Sequence, residues 1–497
     1  MALNSTLPGV RRSVLAALFG AAACAGVVAL TAPPGPGLDP DSMSYLGAAE
    51  SLARHGTLRI PMADWSDPDS TSALRHFPPG FPVVLALPVA LGARSEEAAR
   101  GVEAASAFAS VALAVWIAAA AAGTLAGALA GVLLLATPAL VLDHARVLSE
   151  PLCFALLVAT LGLMLHSRRP LLYGLTAAAA GLVRYAAVPF GGAAVLWAFG
   201  RHGALKERVR RAALAAIPTA LLSGAVMLRS LLESGGSSSF GLHVDLGPTL
   251  RELGATLVAW LAPPGPGGLA GAALALLAAA GAALALRDAA RDRADEGDAP
   301  SPVRPLLDAA ALLAACYAGF VFVSRLLVYD NIPFDDRMLS PAIFLVEVAV
   351  AAALGARWRA WGPRARIGAA AAVLPWLCAS TWATVRAVGD ARDGGWGYAS
   401  DDWRDSKLAA WLRTDGAGFE IYSNDPAAVY FATHRPSREL PATAGAAGAF
   451  ARVLQGRRAV VVAFAQDYEP VASPDSLARR LGMKLVADDS DGRVWEK

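Results

Sequence analysis

Long apolar stretches rich in Ala, Leu, Val and Gly alternate along this chain with short polar segments, and those segments fall into two kinds by the sign of their charge. Basic clusters stand at Arg11-Arg12, Arg168-Arg169, residues 201–211, 287–304 and 357–366. Acids occupy the intervening segments instead: Asp39, Asp41, Asp64, Asp67 and Asp69, then Asp143 and Glu150, then Glu233 and Asp245, then Asp330, Asp335 and Asp336. Apolar runs of about 20 residues at 1.5 Å rise per residue match the ~30 Å thickness of a bilayer core, so the pattern predicts membrane-spanning helices. They are expected at about 13–31, 102–122, 125–142, 151–166, 171–185, 186–199, 212–229, 264–286, 305–327, 340–355 and 366–386, or about eleven in all. Arginine-rich loops favour the cytoplasmic side, which puts the acidic segments outside. The run Phe81 to Ala93 is too short to span and would break that alternation. It is expected to be interfacial or re-entrant, where irregular backbone must lie against protein or water.

The first apolar run, to about Thr31, follows Arg11-Arg12 and is expected to be a retained signal anchor with its N-terminus in the cytoplasm. Ala21-Ala22-Ala23-Cys24 resembles a lipoprotein cleavage site, but the run is long for a cleaved signal. From about Asp390 the pattern changes. Ser400-Asp401-Asp402-Trp403 reads as a helix entry, Phe419 to Tyr422 and Ala459 to Phe464 as strands, and Pro426 to Thr433, Ala446 to Leu454 and Pro474 to Leu481 as helices. The expected fold class is an α-helical polytopic membrane protein with a small C-terminal α/β soluble domain. Its expected organisation is a membrane domain over 1–389, including a first outer loop at 32–101 with juxtamembrane helices, and an extracytoplasmic domain over 390–497.

Composition agrees with that reading: 56% of the 497 residues are hydrophobic and 17% charged, with a mean hydropathy of +0.46. The net charge of +2 conceals the segregation of sign, and no nucleic-acid signature is present. Four cysteines, Cys24, Cys153, Cys316 and Cys378, lie in apolar stretches and suit packed thiols better than a disulfide framework or a CxxC metal site. Gly265-Pro266-Gly267-Gly268 has neither the spacing nor the context of a phosphate loop, which argues against a nucleotide donor inside the cell. His76, His144 and His243 lack a Gly-x-Ser-x-Gly partner for hydrolase chemistry. Asn4-Ser5-Thr6 matches a glycosylation sequon but precedes the anchor, and Asp67-Pro68-Asp69 reads as a solvated turn.

What is left is an acidic set of outer loops with a few arginines. Just past the anchor stands Asp39-Pro40-Asp41-Ser42-Met43-Ser44-Tyr45, followed by His76-Phe77-Pro78-Pro79-Gly80-Phe81-Pro82. A carboxylate beside a bilayer needs water, a partner or a substrate, although Asp-Pro is also an ordinary turn and helix entry. Taken in order with Leu148-Ser149-Glu150-Pro151, Gly181-Leu182-Val183-Arg184-Tyr185 and Asp336-Arg337-Met338-Leu339-Ser340-Pro341, these motifs resemble the GT-C membrane glycosyltransferases over roughly residues 10 to 355. The nearest branch contains the lipid A aminoarabinose transferases and the protein O-mannosyltransferases.

That resemblance implies transfer of a sugar from a polyprenyl-phosphate donor to a lipid, glycan or protein acceptor on the outer face of the inner membrane, by single displacement with inversion. The acid four positions before an aromatic, Asp41 before Tyr45, is implied as general base, and it stands in Asp-Ser where the family more often has Asp-Glu. Glu150 matches the second acidic position and is implied to orient the acceptor and tune the base, or to share a divalent cation with Asp41. Ser149-Glu150-Pro151 is equally a good helix start. Arg184, Arg229 and Arg337 are candidates for the donor phosphate, and Tyr45, His76 and Tyr185 for lining the substrate site. Met338 replaces the tyrosine usual after the arginine of the last motif. A flippase of lipid-linked sugars would also need intramembrane arginines, but the inverted repeats common in transporters are not evident. A membrane-anchored sensor led by the C-terminal domain is the third alternative.

Overall fold

The computed structural model describes residues 7–234, 246–262, 280–283, 286–287, 303–327, 332–465 and 473–497. Most of the expected span 264–286, most of the basic cluster 287–304, the Gly265–Gly268 run, His243, Asp245, Asp330 and the sequon at 4–6 lie outside the described residues, as does the Glu233 side chain. The chain forms two compact units, one of residues Met1–Leu30 with Gly101–Asp390 and one of Thr31–Arg100 with Ala391–Lys497.

The first unit is a bundle of helices at the positions where the apolar pattern places them. Six helices among the described residues are long and apolar enough to cross a membrane, and up to seven if a bent pair counts as one span. Glu150–His166, Pro170–Val183 and the helix ending at Gly200 are also apolar, but at 10–17 residues they fall short of a full span. The protein is therefore a multi-pass membrane protein whose spans differ more in length than the apolar runs suggest. Small residues set the spacing of the bundle. A Cβ added at Gly174 would come within 2.3 Å of the Ala215 carbonyl, and one at Gly355 within 2.4 Å of the Ala126 Cβ, so these helix pairs approach backbone to backbone. Cys153 is buried as expected, whereas Cys378 is exposed on the helix Pro363–Gly394.

Two interruptions shape the bundle. Thr124–Ala136 and Pro138–His144 meet at 71°, because Pro138 contributes no N–H and drives Thr137 out of the helical region to φ −86°, ψ 115°. The Ala136 carbonyl released by the break accepts hydrogen bonds from Ser380 Oγ at 2.8 Å and Thr384 Oγ1 at 2.6 Å. Side-chain hydroxyls thus satisfy a carbonyl that lipid could not. The second interruption falls at Arg184, extended at φ −147°, ψ 123° between Pro170–Val183 and the short turn Tyr185–Ala187.

The second unit differs from expectation in one respect. Segment 31–100, expected to belong with the membrane domain, packs with the C-terminal residues. Its helices are Pro40–His55 and Gly80–Ala90, the latter 11 residues long and covering most of the Phe81–Ala93 run. Its strands are β1 (Arg59–Ile60), β2 (Met62–Ala63) and β3 (Ser72–Ala73), followed in the C-terminal part by β4 (Glu420–Ser423), β5 (Ser437–Glu439), β6 (Ala459–Phe464), β7 (Lys484–Asp489) and β8 (Gly492–Glu496). A six-stranded sheet runs β2-β5-β4-β6-β8-β7. The first four of these are parallel, with Met62 opposite Ser437 and Tyr422 opposite Val461, and a C-terminal hairpin adds β8 and β7 antiparallel.

Tyr422, Phe450, Val461, Leu477 and Trp495 form the core on one face of this sheet. Trp65 of the first loop packs edge-on to Phe450 at 5.9 Å. Asp67-Pro68 is more than a solvated turn, because the backbone carbonyls of both residues accept from the buried Arg438 guanidinium, at 3.4 and 3.1 Å. The single helix expected after Ser400 is two, Asp401–Arg404 and Lys407–Arg413, since Ser406 starts a new one by accepting from Ala409 N–H at 3.0 Å.

Candidate active site

In the first unit the candidate residues converge on Glu150. The helix Glu150–His166 begins at this residue with Pro151 in its first turn, where a carboxylate is favoured by the helix dipole. The Glu150 side chain is fully buried. Its Oε1 receives Arg184 Nη1 at 2.5 Å and also Arg337 Nε, while Ser149 Oγ lies 3.2 Å from Oε2. Arg184 reaches this position because the helix break at its own residue turns the chain. Its Nη2 also donates to the Met338 sulfur at 3.3 Å, so the residue standing where a tyrosine is usual is part of the cluster. Arg337 follows from the N-cap of Asp336–Ala360: Asp335 Oδ1 accepts Met338 N–H at 2.7 Å and fixes the first turn that carries the arginine. Burial raises the Asp335 carboxyl above its ordinary value, with the Met338 N–H working against it. Asp336 Oδ1 accepts the Arg337 backbone N–H at 3.0 Å.

Residues outside the sequence assignment complete the cluster. Tyr317, fully buried, donates to the Met338 carbonyl at 2.7 Å. Glu103, fully buried in the helix Ser95–Ala122, accepts Leu148 N–H at 3.3 Å through Oε1 and so holds the turn that leads into Glu150. Asp143, 1% exposed, receives Arg146 Nη2 at 2.9 Å and lies within electrostatic reach of both Glu150 and Arg337. The signal that could have found Glu103 was available in the sequence, since an acid inside an apolar span is expensive. Tyr185 is 37% exposed, with Arg229 in its electrostatic surroundings.

In the second unit Asp39, not Asp41, is the N-cap of Pro40–His55, and Ser42 Oγ accepts Asp39 N–H at 2.9 Å in a capping box. Asp41 is the acid of the first turn and is half-buried. Tyr45 is 2% exposed, with ring centroids 4.9 Å from Phe77 and 5.1 Å from Phe81. Its ring therefore locks the helix to the Phe77–Phe81 turn and leaves little surface for a substrate. His76 is exposed, edge-on to Phe77 at 4.8 Å.

For a cation, the donor set around Glu150 is unfavourable. Two guanidiniums already neutralise the carboxylate, and among the described residues no group of three or more His, Cys, Asp or Glu could hold a metal ion. What the cluster can do is present two converging arginines at a buried site, the donor geometry that suits a phosphate.

Neither a protein-family model nor a curated protein matches the sequence. Solved structures do. ArnT from Cupriavidus metallidurans, bound to undecaprenyl phosphate, superposes with a TM-score of 0.61 at 16% identity over 96% of this chain and 97% of that one. The oligosaccharyltransferase AglB from Archaeoglobus fulgidus, in complex with an inhibitory peptide and a dolichol-phosphate, gives 0.52 at 12% identity over 90% of this chain and 69% of that one. The arabinofuranosyltransferase AftD from Mycobacteria gives 0.55 at 19% identity, covering 96% of this chain and 41% of that one. At these identities the likeness is one of fold, which this chain shares with the three solved structures over 90% or more of its length.

Proposed function

We propose that this chain transfers a sugar from a polyprenyl-phosphate donor to a lipid, glycan or protein acceptor at the outer face of the cell membrane, with its N-terminus inside and its C-terminal domain outside. The observation that carries the reading is the buried Glu150 held by Arg184 and Arg337. Two guanidiniums beside an apolar helix bundle suit an anionic headgroup on a lipid tail, and similar folds are found with undecaprenyl phosphate and dolichol-phosphate bound.

The chemistry is a single displacement. The acceptor O–H or N–H gives its proton to the Asp41 carboxylate, the acceptor atom bonds to the anomeric carbon on the face opposite the leaving group, and the bond from that carbon to the phosphate oxygen breaks. Charge accumulates on the departing phosphate, where Arg184 and Arg337 stabilise it, and Glu150 keeps the two guanidiniums aligned before the donor arrives. Arg229, Tyr185 and His76 are assigned to the walls of the substrate site. No step is given to a divalent cation.

The test is transfer of radiolabelled sugar from a prenyl-phosphate pool by purified protein in liposomes. Asp41→Asn is expected to lower transfer by at least 100-fold while donor binding persists. Equal transfer by the two proteins would remove Asp41 from the mechanism, and translocation of the donor without transfer by wild type would favour a flippase.

A further inference from the structure

We infer that the C-terminal domain acts as the positioning element for Asp41, through a backbone clamp between Trp396-Gly397-Tyr398 and Leu38. Leu38 N–H donates to the Trp396 carbonyl at 3.2 Å, and the Leu38 carbonyl accepts Tyr398 N–H at 2.8 Å, an isolated parallel bridge centred on Leu38 and Gly397. Asp39, the next residue, is the N-cap of the helix that carries Asp41 in its first turn. The clamp thus ends where the helix begins, and it fixes the direction in which that first turn leaves the sheet domain.

Gly397 has a specific reason to be glycine. Its φ is +58°, and a Cβ there would stand 2.1 Å from the Leu38 carbonyl oxygen and 3.3 Å from Asp39 Oδ1. A side chain at 397 would therefore be strained in its own backbone and would push the cap residue away. The clamp is anchored from below. Tyr398, 1% exposed, donates its hydroxyl to the Asp425 carboxylate at 2.8 Å, and Asp425 is itself the N-cap of Pro426–Thr433, accepting Ala428 N–H at 2.9 Å. Two further ties hold the same loop: β2 pairs with β5, and Arg438 binds the carbonyls of Asp67 and Pro68. One turn further along the helix, Tyr45 packs on Phe77 and Phe81. Asp41 sits between one fixed point at Leu38 and another at Tyr45, and the first of these is supplied by residues more than 350 positions away in sequence.

This inference rests on Asp41 being the base. It separates the domain's role from that of a passive cap or of an acceptor-docking surface, because it predicts a loss in turnover with donor and acceptor recognition preserved.

The decisive experiment compares wild type, Gly397→Ala and Leu38→Pro in the full-length protein in liposomes. The second variant deletes the Leu38 N–H without adding atoms at Gly397. Transfer from a prenyl-phosphate sugar pool, binding of undecaprenyl phosphate, and amide hydrogen exchange over residues 39–46 and strands β4 and β6 would be measured. Both variants are expected to lose at least tenfold in kcat, with KM for donor and for acceptor within about twofold of wild type, undecaprenyl phosphate binding unchanged, faster exchange at 39–46 and intact protection in β4 and β6. If Gly397→Ala exposes β4 and β6, Leu38→Pro decides. Wild-type kcat in Leu38→Pro, unchanged exchange at 39–46, or a loss confined to acceptor KM would overturn the positioning role. Absence of transfer by wild type itself would instead overturn the glycosyltransferase reading.

Discussion

Two buried carboxylates in the helix bundle, Glu150 and Glu347, are treated in opposite ways. Glu150 has two guanidiniums on one oxygen. Glu347, 2% exposed in the middle of Asp336–Ala360, has only neutral donors among the described residues: Thr137 Oγ1 at 2.5 Å and Trp260 Nε1 at 3.1 Å, both on Oε1, while Oε2 has no partner among them. A buried acid matched by cations is a site prepared for charge, and cations that can be redirected to a phosphate are useful in transfer. A buried acid held by a hydroxyl and an indole is a clamp. It ties the break at Thr137 to the helix of Glu347 and to Trp260 in Leu246–Leu261. Removing a partner should therefore have different consequences at the two places, even though both carboxylates lie at similar burial.

The largest effect is expected from Arg184→Met. It leaves a buried carboxylate with half its compensation, a change that typically costs about 3–5 kcal/mol. An SDS unfolding titration should show that loss, together with transfer reduced beyond 100-fold. Retention of wild-type stability would mean that Glu150 is not held as a compensated charge.

A smaller effect is expected from Thr137→Val, which removes one donor to Glu347 and should lower stability by about 1–2 kcal/mol with transfer changed by less than about threefold. Strong loss of transfer in a stable Thr137→Val protein would give the Glu347 cluster a role in chemistry and erase the contrast.

Glu347→Gln should be smallest. The amide presents the same carbonyl to Thr137 and Trp260, so stability is expected within about 1 kcal/mol and transfer within about twofold. The comparison fails if this substitution weakens transfer as much as the loss of Arg184.

Much of this architecture was legible in the apolar pattern. Ten of the eleven expected spans coincide with helices among the described residues, and the eleventh falls largely outside them. In the C-terminal part, β4, β6 and the helix Pro426–Thr433 stand where apolar runs and Asp425-Pro426 place them. Ser149-Glu150-Pro151 marked the helix start at Glu150 by local signals, charge and a proline in the first turn, whereas the candidacy of Glu150 for chemistry came from the motif resemblance. Glu103 and Glu347 were readable by a different rule, as acids inside apolar spans, yet a search confined to the polar loops passes over them. Tyr45 illustrates the reverse: its spacing picked out Asp41 in the sequence, and only the structure shows its ring packed on Phe77 and Phe81. The 71° bend at Pro138 and the division of the helix after Ser400 have local causes in Pro138 and Ser406, but the partners that satisfy them are distant in sequence: Ser380 and Thr384 take up the Ala136 carbonyl, and the Asp491 carboxylate receives Ser406 Oγ at 2.6 Å.

The sequence by itself determined that the chain is a multi-pass membrane protein, roughly where most of its apolar helices lie, and which acids and arginines are candidates for chemistry. Those properties follow from transfer of side chains and peptide groups between water and lipid, which each segment decides almost alone. Only the tertiary structure decided that Arg184 and Arg337 meet on Glu150, and that the loop carrying Asp41 belongs to the sheet of the C-terminal domain. A salt bridge 187 residues apart in sequence, and a two-residue strand that gains its hydrogen bonds from β5, leave no periodic trace in the chain, because their free energy exists only once distant segments have been brought together.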